Sequence, residues 1–205
     1  NVNGANIKTN GGDISIKADS ENRVLMRQNE QGAGAIVIRG GKINNSINSI
    51  ADVEFNNANI EAENVNVSAS AKLGTIGDKE ISYRVGVSGF SATHDADISN
   101  DITQNSNIKF NNSTVKAKQN MNVKARTEST LKQKIYTEGD GFVTKNVATS
   151  NLKVTNNNNI TISKGSTLEA NDLNLAMDSK NILHSESVTN ADHFGGLDPE
   201  AHANL

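Results

Sequence analysis

Apolar residues in this chain fall at every second position in short runs, as in Val53/Phe55, Ile60/Ala62 and Val65/Val67/Ala69. Side chains two apart on a strand share a face. Each run therefore predicts a short strand with one face buried. Between the runs stand Asn56-Asn57 and Glu63-Asn64. Asn tolerates left-handed backbone and bonds neighbouring peptide groups, so these pairs read as corners.

The pattern recurs along the chain. Ile108/Phe110, Val115/Ala117 and Met121/Val123/Ala125 form a second copy, and Ile160/Ile162, Leu168 and Leu173/Leu175/Met177 a third. A partial copy opens the chain with Ile7 and Ile14/Ile16/Ala18. Ile7, Ile60, Val115 and Leu168 are equivalent and recur at a near-constant interval. The intervening stretches align too. Ala35, Phe90 and Phe142, each preceded by Gly, stand at one fixed distance ahead of Val53, Ile108 and Ile160. Three short strands with two corners predict one coil of about 20 residues, rising about 4.8 Å. The expected fold is all-β: a right-handed parallel β-helix, or β-solenoid, with hairpin-like excursions near 19–45, 72–100 and 127–150. Ile7, Ile60, Val115 and Leu168 should share one buried face.

The repeat is expected to span residues 1–180. After Lys180 the alternation weakens, and 181–205 reads as a C-terminal cap, a linker or the start of another module. Within it, Pro199 suits a first helical position and Asp198 a cap, which predicts a short helix there.

Composition sharpens this picture. Hydrophobic residues are only 35% and aromatics 3%, too few for an ordinary globule of 205 residues. A solenoid needs fewer bulky side chains because each coil buries a thin core against its neighbours. The chain holds 32 Asn, one Pro and no Cys. So much Asn suits repeated turns and amide ladders between coils, and opposes helix. The net charge of -3 is interspersed, which gives no basic stripe for nucleic acid. No apolar run approaches the roughly 18 residues of a transmembrane span. With no initiator Met and the repeat already running at its first residues, the chain reads as a fragment of something longer.

The pattern apolar-x-apolar-x-x-small-x-apolar-x-Ala-x-x-apolar-x-apolar, with a Gly-Phe-bearing polar stretch between copies, resembles the haemagglutinin repeats of filamentous-haemagglutinin-like exoproteins. Such repeats occur in two-partner-secretion adhesins, contact-dependent inhibition proteins and some leukotoxins. The resemblance covers about residues 1–180. It implies secretion to the bacterial cell surface through an outer-membrane partner barrel, with folding outside the cell. The family has no shared catalytic residues.

Candidate chemistry is sparse. His94, Asp95 and Asp97 are the nearest approach to a metal set. Their aligned residues Asn146, Val147 and Thr149 supply no such ligands, so a solvated loop is expected. Glu138-Gly139-Asp140-Gly141 reads as a tight turn, as do the Gly-Gly pairs at 11–12, 40–41 and 195–196. His184, His193 and His202 stand nine apart, which is no ligand signature. No Gly-x-Ser-x-Gly elbow occurs. Five Asn-x-Ser/Thr sequons, at Asn44, Asn66, Asn111, Asn112 and Asn159, suit an Asn-rich chain by chance. No cofactor, metal or catalytic residue is called for.

The expected function is therefore that of an adhesin or extended stalk contacting host or neighbouring cells through a surface protein or glycan. The alternative is the β-helical part of a secreted, leukotoxin-like toxin. A carbohydrate-active β-helix enzyme comes third, since it needs clustered carboxylates and aromatic platforms. Contact is expected through 81–93 and 134–145, with Tyr83, Phe90, Tyr136 and Phe142 as exposed aromatic candidates. A competing role for Phe90 and Phe142 is to plug the excursions onto the solenoid.

Overall fold

The computed structural model describes residues 1–77, 79–193 and 200–205, with 191–193 described by backbone alone. The described residues form four stacked coils and no helix. Coil 1 holds β1 (Val2–Asn3), β2 (Asn6–Lys8), β3 (Ile14–Val24) and most of β4 (Arg27–Asn56). Coil 2 holds β5 (Asn59–Ala62), β6 (Val65–Thr75) and β7 (Ile81–Asn111). Coil 3 holds β8 (Thr114–Ala117) and β9 (Asn120–Ile162). Coil 4 holds β10 (Thr167–Glu169), β11 (Asp172–His193) and β12 (Glu200–Asn204).

Every ladder among these strands is parallel. Ile7, Ile60, Val115 and Leu168 follow one another in a single ladder across β2, β5, β8 and β10, as the register predicts. Ile60 and Val115 are fully buried, whereas Ile7 lies on an end coil and is partly exposed.

The coil is far larger than the three short strands expected to close it. Ile14 pairs with Val65, and Val65 with Met121, so ladder partners stand one full repeat apart and one turn of the solenoid is one whole repeat. The excursions run out and back, but their two legs do not pair with each other as a hairpin would. Each leg bonds the same leg of the coils above and below, because that satisfies its peptide groups in the solenoid's own ladder. The legs meet through side chains. Asn22 Nδ2 donates to Ser49 Oγ at 2.8 Å, and Gln133 Nε2 to Ser150 Oγ at 2.8 Å. The excursions thus build a two-walled fin projecting from the short-stranded body.

The core follows this outline. The body is filled by Phe55, Ile60, Val67, Ile108, Val115 and Val123, with Phe55 and Phe110 stacked at 4.7 Å. Smaller apolar clusters continue into the fin: Leu73, Ile102, Leu131 and Leu152, then Ile81, Val85, Ile98 and Ile135, then Val37, Val87 and Ala92 near the tip. Buried polar groups separate them. Ser106 Oγ donates to the Ala69 carbonyl at 2.7 Å, and Gln104 bonds Ser129.

Asn ladders hold the outer register. Asn111 donates to Asn56 at 2.9 Å and Asn56 to Asn3 at 2.9 Å, and Asn157, Asn105 and Asn48 repeat the arrangement. One corner is left-handed in every coil, occupied in turn by Gly4, Asn57, Asn112 and Gly165, with φ of 56°, 52°, 47° and 86°. Only Gly and Asn take this backbone readily. Both Asn112→Ala and Asn112→Gly lose the amide bond to Asn57, and Asn112→Ala is expected to lower stability by about 1 kcal/mol more than Asn112→Gly, as measured by denaturant titration. Equal effects of the two would remove the backbone explanation.

The ladder does not stop where the alternation fades. β11 stays in register with β9 from Asp172↔Asn120 to His193↔Gly141, across the boundary read at Lys180. Glu200–Asn204, expected to lie in a short helix, is instead a strand paired with Val147–Asn151. A one-turn helix is marginal by itself, and the open edge of coil 3 offers backbone partners. Pro199 and the 195–196 glycine pair lie outside the described residues. The described residues contain no helix long and apolar enough to cross a membrane.

Candidate functional site: the tip of the fin

The four aromatic candidates divide by the parity of their positions. Ile81, Tyr83, Val85 and Val87 alternate inward, so Tyr83 is 1% exposed and belongs to the core. It is not a contact residue. The pKa of its hydroxyl is pushed up to about 12, first by burial and then by the Glu30 carboxylate. Gly41 makes room for it: a Cβ there would stand 2.6 Å from the Tyr83 hydroxyl.

Tyr136 has the opposite parity and lies half-buried on the outer wall. The Arg84 guanidinium sits 5.0 Å from its ring centroid, and Arg84 bonds Glu138 at 2.7 Å. The neighbouring carboxylate raises the pKa of Arg84. Asn190 Nδ2 donates to the Tyr136 hydroxyl at 3.4 Å. The ring is therefore embedded in a polar surface ladder. Beside it, Gln31, Gly86, Ser88, Glu138 and Asp140 line an open, mainly polar groove of about 490 Å³ over the gap left by Gly86.

Phe90 and Phe142 come together at the far end of the fin. Their rings stack at 5.2 Å with 3° between planes, and they are 66% and 47% exposed. They do not plug the excursion onto the body, because the excursion already joins the body through continuous walls. Three exposed residues that sequence reasoning misses follow in the same tip ladders: Ile36 (75% exposed), Ile38 (78%) and Val143 (40%), with Ile36 and Val143 both in register with Ser91. A signal for them exists. In Ile36-Val37-Ile38 the apolar run breaks period two, and only Val37 turns inward.

The Gly before each tip residue has a geometric cause. Gly34, Gly89 and Gly141 form one ladder. A Cβ on Gly89 would strike the Gly34 carbonyl oxygen, and one on Gly141 the Gly89 carbonyl oxygen. The coils approach too closely here for a side chain.

The remaining motifs lie elsewhere than expected. His94 is not in a solvated loop; it is fully buried in β7, in register with Asn146, as the alignment places it. Asp95 turns outward beside it. Gly139 lies within β9 and makes room for Asn146, whose Oδ1 would be 2.8 Å from a Cβ there. Gly40 and Gly41 lie within β4, not in a turn; Gly11 and Gly12 do sit at a corner. Among the described residues, no three of His, Cys, Asp and Glu gather as a metal set. Of the sequon asparagines, Asn111, Asn112 and Asn159 donate to neighbouring coils and Asn66 accepts from Asn122.

Compared with protein-family models, with curated proteins and with solved structures, the chain matches none.

Proposed function

We propose that this chain is a segment of a secreted or cell-surface bacterial exoprotein of the filamentous-haemagglutinin kind, acting as an adhesin or stalk that touches host or neighbouring cells with the fin tip. One observation carries the reading: Ile36, Ile38, Phe90, Phe142 and Val143 all stand exposed at the end of a two-walled projection, with the two Phe rings stacked. A surface this rich in large apolar groups marks an interaction site, and aromatic side chains anchor interfaces with little loss of conformational freedom. Other exposed large apolar side chains lie mostly on the two end coils, Leu25 and Ile50 on coil 1 and Leu173, Leu175, Met177 and Ile182 on coil 4, and none of them belongs to a stacked aromatic pair. Export of the full-length protein would use an outer-membrane partner barrel, as the resemblance implies.

The contact lies at the tip and not along the whole of 81–93 and 134–145. Ile81, Val85 and Ile135 fill the fin, so replacing the excursions by short turns would remove core and fold together. The test is the double variant Phe90→Ser, Phe142→Ser in the purified chain, applied to epithelial and bacterial cells. Attachment is expected to fall at least tenfold, with β-rich circular dichroism and melting temperature retained. Undiminished attachment would place the contact on the solenoid faces. Lysis of the cells by the parent chain would assign it to the toxin reading, and turnover of a polysaccharide to the enzyme one.

A further inference from the structure

His94 is fully buried in the fin, and neither ring nitrogen has a hydrogen-bond partner. Its ladder neighbours are Arg39 of β4 and Asn146 of β9. The glycines identify what stands across from it. A Cβ on Gly32 would lie 3.0 Å from Arg39 Nε, and one on Gly139 2.8 Å from Asn146 Oδ1. Gly32, Val87 and Gly139 form one ladder, so Val87 is the residue opposite His94. The site thus sets an imidazole against an isopropyl group. Thr137 Oγ1, Thr144 Oγ1 and Asn146 Oδ1, also in this part of the fin, are buried without partners.

The charged and titratable groups nearby give the ring no anion to bond. On β4 they are Arg39, which is cationic, and Glu30, which lies at Tyr83. On β7 they are Tyr83 and the outward-facing Asp95. On β9, Glu138 is tied to Arg84, while Asp140 and Lys145 are exposed. Burial alone lowers the pKa of His94.

We propose that His94 is an acid-operated latch on the fin: neutral, it packs between the walls of the tip, and protonated, it must reach water, which parts the walls at the tip. An imidazolium needs an acceptor for each of two N–H groups, and a buried charge without them is strongly disfavoured. The tip is where the walls can yield. Its apolar cluster is only Val37, Val87 and Ala92, whereas the body holds Phe55, Phe110 and the Ile60–Val115 ladder. Regions with the fewest buried apolar contacts open first.

The direction with pH follows from linkage. In the open tip the ring titrates near the ordinary 6.5, and in the closed tip below it. The closed form keeps its full stability above that ordinary value. It loses stability as pH falls below it, by up to tenfold in the opening constant per pH unit, until the lower pKa of the closed form is reached.

Hydrogen exchange, corrected for intrinsic rates, reads the opening directly and independently of any cell binding. Between pH 7.5 and 5.0, segments 85–96 and 137–148 are expected to lose protection by up to roughly thirtyfold, while 53–71 in the body keeps its own. His94→Asn places in coil 2 the residue that coil 3 carries at the same register, and its tip protection is expected to stay flat with pH. A parent tip that is equally protected at both pH values overturns the latch. So does a pH response that survives in His94→Asn, since it would not arise at His94. Carbon-13 NMR of labelled histidine supplies a check that needs no variant: the His94 ring is expected to titrate below the ordinary imidazole value, and titration at or above that value overturns the proposal.

Discussion

Val115→Asp is expected to unravel the body of the solenoid around coils 2 and 3. Val115 is fully buried in β8, in register between Ile60 and Leu168, and it packs in the cluster that includes Phe55, Phe110 and Met121. A carboxylate there has no cationic partner and no water, and such a charge costs several kcal/mol even if it protonates instead. Whole domains are stable by only about 5–15 kcal/mol. Each coil rests only on its neighbours, so losing the middle one breaks the stack in two. A chain of this size shifts its melting temperature by roughly 2–4 °C per kcal/mol, so a fall of about 10 °C or outright loss of cooperative melting is expected. Val115→Ile is the control. Ile60 fills the same column in the neighbouring coil, so the extra methylene should cost only about 1 kcal/mol, the lower end for an addition to a packed core. If Val115→Asp melts with the parent, the β8 ladder does not face the core.

The second large effect is expected at a residue without a side chain. Gly89→Ala puts a Cβ into the carbonyl oxygen of Gly34, which is backbone and cannot rotate away. The coils must separate at the tip, and the loss is about 3 kcal/mol, at the upper end for overpacking. Separation also slides Phe90 off Phe142. Gly77→Ala tests the specificity of this account, because a Cβ there meets nothing within 4 Å and only its backbone, at φ 57°, resists. Thermal melting and near-ultraviolet circular dichroism of the aromatic pair measure both. Equal, small losses for Gly89→Ala and Gly77→Ala would show that coil contact at the tip is loose, and the explanation of the Gly-Phe motif would fall.

These two positions differ in how far they can be read in advance. Val115 is legible because burial on a strand leaves a trace of period two, and the fourfold recurrence of Ile7, Ile60, Val115 and Leu168 fixes the register between copies. The Gly-Phe spacing is legible as a repeat. Its cause is not, since a collision with the next coil depends on two chain segments a whole repeat apart, Gly34 and Gly89. Tyr83 shows the same limit from the other side. Grouping it with Phe90 as an exposed aromatic overlooks that it lies in step with Ile81 and Val85. What hides that parity is the expectation of a hairpin outside the core, which leaves no inside for Tyr83 to face.

His94 marks the boundary most sharply. Its neighbours Asp95 and Asp97 suggest a polar loop, but polarity averaged over a segment says nothing about one face of a strand. In period two, Ala92, His94, Ala96 and Ile98 are the inward set and the aspartates the outward one. The repeat alignment pairs His94 with Asn146 correctly, yet only the burial of both gives the pairing a consequence.

The sequence by itself determined the class of the fold, the identity of equivalent positions in the four copies, and the use of Asn for corners and ladders. These are local or periodic properties, carried by side-chain parity and by the backbone preferences of single residues. Only the tertiary structure decided that the whole repeat is one coil, that the excursions form a walled fin with its own core, and that 181–193 and 200–204 continue the stack. Those depend on which backbone groups pair across the full length of a repeat. A strand's alternation looks the same whether its partner is its own returning leg or the next turn of the solenoid.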